Sequence, residues 1–117
     1  RAEFNYQKYE YMRVAEVFYK RESAGILTQH NDGSFTFRYH DHWLADSQKP
    51  PISFSFLKQQ QEYHSPYLFA FFFNMLPEGK NRERICIDSK IDSDDDFGLL
   101  MVAAQYDSIG AITVKPI

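Results

Sequence analysis

Alternation of period two organises the first third of the chain. Phe35, Phe37 and Tyr39 fall on one side of an extended segment, with Ser34, Thr36 and Arg38 on the other. That is the pattern of a strand with one buried face. Upstream, Val14 to Tyr19 is rich in β-branched and aromatic residues, Lys20 to Ser23 forms a polar turn, and Gly25 to Thr28 runs back as a second strand. Asp32-Gly33 lies between apolar runs, and both positions tolerate positive φ, which marks a hairpin. Residues 13–39 therefore predict an antiparallel meander. Residues 40–49 are irregular, with a helical turn around Trp43 and Leu44, and Pro50-Pro51 ends them. Ile52, Phe54 and Phe56 alternate with Ser53 and Ser55, predicting a further half-buried strand, and Gln59 to Glu62 reads as a polar connection.

The second half is helical in period. Ser65 as N-cap and Pro66 in the first helical position predict a helix that Pro77 and Gly79 stop near Met75. Four of the nine residues 69–77 are phenylalanine, so this helix has almost no polar face and must be covered on several sides. Whatever cover a small chain does not supply has to come from a partner. Lys80 to Asp88 reads as a second helix. A third starts at Ser93, with Asp96 three residues on as a variant capping box and Asp94 and Asp95 complementing the dipole. Its residues Phe97, Leu100, Met101 and Ala104 follow helical spacing. Tyr106 to Gly110 turns the chain, and Ala111 to Val114 closes it as a last strand. Strands, then helices, then a strand predict an α+β fold: a small antiparallel meander packed with about three short helices. Residues 1–11 read as an N-terminal extension and 12–117 as one domain.

Bulk properties narrow the function classes. At 117 residues one core is affordable without staples. A hydrophobic content of 44% excludes disorder, and no run approaches the roughly 18 apolar residues of a membrane span. The net charge of −3, with both signs mixed along the chain, argues against unaided nucleic-acid binding. The single cysteine, Cys86 between Ile85 and Ile87, excludes an internal disulfide, reads as a buried thiol and suits a reducing, cytoplasmic setting.

Motifs for chemistry are weak. His40 and His42 share a face of an extended chain, and a metal site there needs a third ligand from His30 or His64; exposed loop histidines are the simpler reading. Asp92, Asp94 and Asp96 have calcium-loop spacing, but Phe97 stands where glycine is required and Ala103 where a bidentate glutamate is required. Pro77-Glu78-Gly79-Lys80 lacks the upstream glycine and the following hydroxyl residue of a phosphate loop. Glu78 and Glu83 as an acid/base pair are more simply a turn residue and a surface residue. No nucleophile elbow, zinc-protease or dinucleotide motif occurs. A non-enzyme is therefore expected, with no cofactor or metal. Trp43, the one tryptophan, reads as a core anchor first and a binding anchor second. Asn74, if buried, must find partners, for which holding the 76–79 turn is a use; presentation to a partner is the other.

Phe72-Phe73-Asn74-Met75-Leu76-Pro77-Glu78-Gly79, then Arg82, Asp96-Phe97-Gly98-Leu99-Leu100 and Asp107-Ser108-Ile109-Gly110-Ala111-Ile112 together resemble the N-terminal subdomain of HipA-type toxin kinases. Ala24-Gly25-Ile26-Leu27, Phe37-Arg38-Tyr39, Trp43-Leu44 and Pro51-Ile52-Ser53 agree in order. Gln105 stands where the family usually has glycine, and Leu57-Lys58 where it has proline after the fourth strand. The resemblance implies a stand-alone version of that subdomain, an antitoxin-like partner that binds a separate HipA-like serine/threonine kinase and restrains it, beside a helix-turn-helix HipB-like protein. The alternatives are a piece that supports folding, activity or DNA-complex assembly of the kinase, or a fragment of a full-length kinase. Trp43, Tyr67, Phe71, Asn74, Leu76, Pro77, Glu78 and Lys80 are the expected partner-binding residues, a mixture of contact and presentation.

Overall fold

The structure, a computed structural model, describes residues 12–103 and 111–117. The expected meander is present: β1 (Arg13–Tyr19), β2 (Glu22–Gln29) and β3 (Phe35–Tyr39) pair antiparallel in sequence order. Lys20 and Arg21 make the first turn with φ of 49° and 76°, the left-handed pair a tight hairpin requires. Phe35, Phe37 and Tyr39 are all buried, as their alternation predicts. Gly25 sits opposite Tyr39 because nothing larger fits. A Cβ there would lie 2.5 Å from the Arg38 carbonyl oxygen.

The helical turn around Trp43 is α1 (Asp41–Ala45). The expected strand at 52–56 does not form; those residues are turns, with Ile52 and Phe56 buried and Phe54 facing solvent. One buried hydroxyl decides this. Tyr39 Oη accepts the Ile52 N–H at 2.9 Å and donates to the Phe56 carbonyl, so the chain is folded back at both ends of Phe54. The fourth strand is instead β4 (Glu62–Ser65), within and just beyond the stretch expected to be a polar connection. It takes the outer edge of β3, and the sheet order is β4-β3-β2-β1-β5 with β5 (Ile112–Pro116) on the other edge.

Ser65 thus ends a strand rather than capping a helix, and its hydroxyl accepts the Tyr67 N–H in a local turn. The phenylalanine helix shrinks to one turn, α2 (Ala70–Phe73). It is followed by α3 (Gly79–Ser89) and α4 (Asp96–Ala103). The cap of α4 is Asp95, not Ser93: its carboxylate accepts the Gly98 N–H at 3.0 Å. In α4, Phe97, Leu99, Leu100 and Met101 are all buried, the signature of a helix enclosed on several sides. It packs on β5 and touches α2 and α3. The result is an α+β domain: among the described residues, an antiparallel five-stranded sheet with four helices. The expected turn at 106–110 and residues 1–11 lie outside the described residues.

The register divides the sheet into two faces. Ala15, Val17, Leu27, Phe37 and Val114 are buried on the inner one. Across the other runs a mixed row in which Glu62, Arg38, Ile26, Glu16 and Lys115 are successive cross-strand neighbours. Arg38 donates to Glu62 at 2.8 Å in that row.

Candidate functional site

The aromatic segment is covered mainly by the chain itself, and the residue that covers it is Phe56. Its ring centroid lies 4.9 Å from Phe37, 5.0 Å from Phe69, 5.2 Å from Tyr63 and 5.8 Å from Phe72. The edge-to-face angle of 78° with Phe69 and Tyr63 is the favourable quadrupole arrangement. Phe72 is fully buried and Phe69 and Phe71 are half-buried against the core. Two rings escape this cover: Tyr67 is 77% exposed and Phe73 48% exposed.

The chain then leaves α2 through tightening turns. Asn74 donates its N–H to the Ala70 carbonyl at 2.9 Å, and Met75 and Leu76 donate to the Phe72 and Phe73 carbonyls, each at 3.0 Å. Pro77 ends the ladder because it has no N–H and its ring clashes with a helical continuation. Glu78 is extended, and Gly79 opens α3 with φ of +60°, a conformation that favours glycine. Arg82 on the first turns of α3 donates to the Ser93 carbonyl at 2.7 Å and to Asp96 at 2.9 Å. Asp95 beside it is held by both terminal guanidinium nitrogens of Arg13, Nη1 at 3.0 Å. That guanidinium lies over the Phe97 ring, and its hydrogen bond holds the Asp95 carboxyl below the usual carboxylate range, aided by the Gly98 N–H. The Pro-Glu-Gly turn is therefore tied through α3 and α4 to the sheet.

Leu76 and Pro77 form a wall between two hollows. One, of about 510 Å³, is lined among the described residues by Met75, Ile85 and Val102 as well as the wall. The other, of about 350 Å³, adds Phe73, Asn74, Glu78 and Arg82 to it.

The expected site residues divide accordingly. Phe71, Asn74, Leu76, Pro77, Glu78 and Lys80 lie along the α2–α3 segment, with Tyr67 at its entrance. Asn74, Glu78 and Lys80 are exposed, Phe71 and Pro77 half-buried, and Leu76 buried. Since Asn74 is exposed, its side chain has no burial to compensate. Trp43 needs correction as a direct anchor. It is 1% exposed, donates its indole N–H to the Pro50 carbonyl at 2.8 Å, and packs on Tyr19 at 5.6 Å. It belongs to the core near α1, not to the aromatic segment.

Two exposed rings escaped the sequence reading. Phe73 was hidden inside an all-phenylalanine run, where the exposed member has no distinguishing neighbour. The alternation of Phe54 with serine predicts a buried face for it. The only available signal was the pair Ser53 and Ser55, residues that favour turns. Elsewhere, the His40 and His42 rings stack at 5.6 Å, and His40 Nε2 lies 2.9 Å from Ser23 Oγ. Among the described residues no three His, Cys, Asp or Glu side chains converge as a metal-ligand set. Nor is any helix among them long and apolar enough to cross a membrane.

Residues 15–115 match the family model of the HipA N-terminal domain. An uncharacterized protein of Haemophilus influenzae is 31% identical over 104 residues, spanning 89% of this chain and 92% of that protein. Among solved structures, the N-terminal domain of HipA toxin superposes with a TM-score of 0.65 at 28% identity, covering 90% of this chain and 92% of that one. Matched by that family model over most of its length and by these relatives over about nine-tenths of it, the chain belongs to the HipA N-terminal domain family.

Proposed function

We propose that this chain is a non-catalytic regulatory module that binds a separate HipA-like serine/threonine kinase body and restrains it. The observation that carries the reading is the pairing of exposed aromatic rings, Tyr67 and Phe73, with a stiff turn at Pro77–Gly79 that is tied to the sheet. Binding hot spots are typically aromatic residues on rigid supports surrounded by contacts that exclude water. Family membership supports the identity of the partner, because the matching solved structure is named as the N-terminal domain of the HipA toxin. Glu78 and Lys80 supply charges of both signs at the turn, suited to fixing orientation at a rim. Restraint follows from occupying or distorting the nucleotide or substrate cleft of the kinase.

Two measurements test this. Calorimetric titration of the chain into the HipA-type kinase body from the same genome is expected to show a complex at micromolar concentration or below. Phosphorylation by that kinase is expected to fall as the chain is added. No complex in that range, or a rise in phosphorylation, overturns the reading; a rise points to a supporting role instead.

A further inference from the structure

Building on the kinase-binding reading, we propose that Phe54 is a preorganised knob that seats in a concave apolar socket on the kinase body. Phe54 is 95% exposed, almost as open as in an unfolded chain, while Ile52 and Phe56 on either side are buried. Single exposed apolar residues are common on protein surfaces. The construction of this loop is what sets Phe54 apart.

The residues around it are held in place. The Phe56 N–H bonds to the Ser53 carbonyl at 3.1 Å, closing a turn with Phe54 and Ser55 at its tip. The Ser53 hydroxyl accepts the Ser55 N–H at 2.9 Å. The buried Tyr39 hydroxyl clamps both ends of the turn from beneath. On the far side, Lys58 donates to the carbonyls of Asp46 and Lys49, each at 2.6 Å. Phe56 itself is the hub of the aromatic cluster under α2. The backbone that presents the ring is therefore fixed before any partner arrives, which removes much of the ordering entropy that binding otherwise costs.

The shape and chemistry of the knob specify its occupant. A convex ring on a rigid turn needs a concave counterpart, and a preformed cavity is a property of a folded domain; an extended peptide has none. The ring is flanked by serines, with no formal charge on residues 50–57, so the socket is apolar and uncharged at its mouth.

The test uses the full chain with Phe54→Ala and Phe54→Leu, titrated into the HipA-type kinase body alongside the unsubstituted protein. Because the ring makes no core contact, thermal midpoints of both variants are expected to match the parent. Affinity is expected to drop about 30-fold or more in F54A, the loss typical of an aromatic hot spot, and to recover in part in F54L. If the parent binds and F54A binds equally well, this proposal falls while the kinase-binding reading stands. If the parent itself does not bind, both fall. Sedimentation of the chain alone supplies a further outcome: a self-association lost in F54A, with kinase binding intact, would assign the ring to a second copy and overturn the proposal.

Discussion

Replacing Tyr39 by phenylalanine removes one oxygen atom and leaves the ring packing unchanged, so its cost isolates the clamp beneath the 52–56 turn. In the parent, that hydroxyl accepts the Ile52 N–H and donates to the Phe56 carbonyl, and both bonds are buried. The substitution strands a buried donor and a buried acceptor together. Each unsatisfied group costs about 1–3 kcal/mol, and modest relaxation of the loop brings the expected total to roughly 2–4 kcal/mol. For a domain of this size that corresponds to a fall in melting temperature of roughly 10 °C or more. Urea unfolding followed by tryptophan fluorescence measures it directly, because Trp43 is buried in the core. Burial also pushes the Tyr39 phenol up from 10.0 to about 12, so the folded state holds this proton more tightly than the unfolded chain. The sign follows from linkage: the contribution is complete below pH 10 and is lost as pH rises from 10 toward 12. That part of the alkaline descent is expected to be missing from Y39F. A stability loss below about 0.5 kcal/mol, within the range of ordinary surface changes, would refute the claim that this hydroxyl selects the turn over a strand.

Three further outcomes follow from the same contacts. The Asp95 carboxyl is held low mainly by its hydrogen bond to Arg13, so its contribution is present above about pH 4 and lost as pH falls through its depressed value. Asp95→Asn keeps an N-capping residue but loses the charge, and acid unfolding curves are expected to show a flatter acid limb than the parent. Phe72→Ala empties a fully buried site among aromatic rings and is expected to cost about 3–5 kcal/mol by denaturant titration. Tyr67→Ala and Phe73→Ala, at exposed rings, are expected to change stability by no more than about 0.5 kcal/mol while weakening the kinase complex in calorimetry.

The family was legible because its motifs sit where local chemistry constrains the chain. The Pro77–Gly79 turn needs a helix stop and a residue at positive φ, and only a few residue types satisfy both. Phe35, Phe37 and Tyr39 were readable as one buried face because β3 is flanked by strands on both sides and packed from beneath. α3 was readable almost to its ends, since Gly79 opens it at positive φ directly after the Pro77 stop, whereas the left-handed Lys90 that closes it has no mark in its residue type. The acid cluster pointed to the start of α4, but which carboxylate caps it depended on Arg13, 82 residues away in the chain.

What the sequence determined alone was therefore the meander, the helix stops, the fold class and the kinship, because alternation and turn chemistry act over a few residues. Tertiary structure decided the rest. Glu62 to Ser65 became a strand because the edge of β3 offered hydrogen bonds, although Tyr63 alone of its residues packs as a hydrophobe on the core. Ile52 to Phe56 had the alternation of a strand and lost it to a hydroxyl 13 residues upstream. The same choice turned Phe54 outward and Phe56 inward to roof the aromatic helix. A local pattern shows which residues are able to share a face, but only the satisfaction of buried donors and acceptors across the fold settles whether they do.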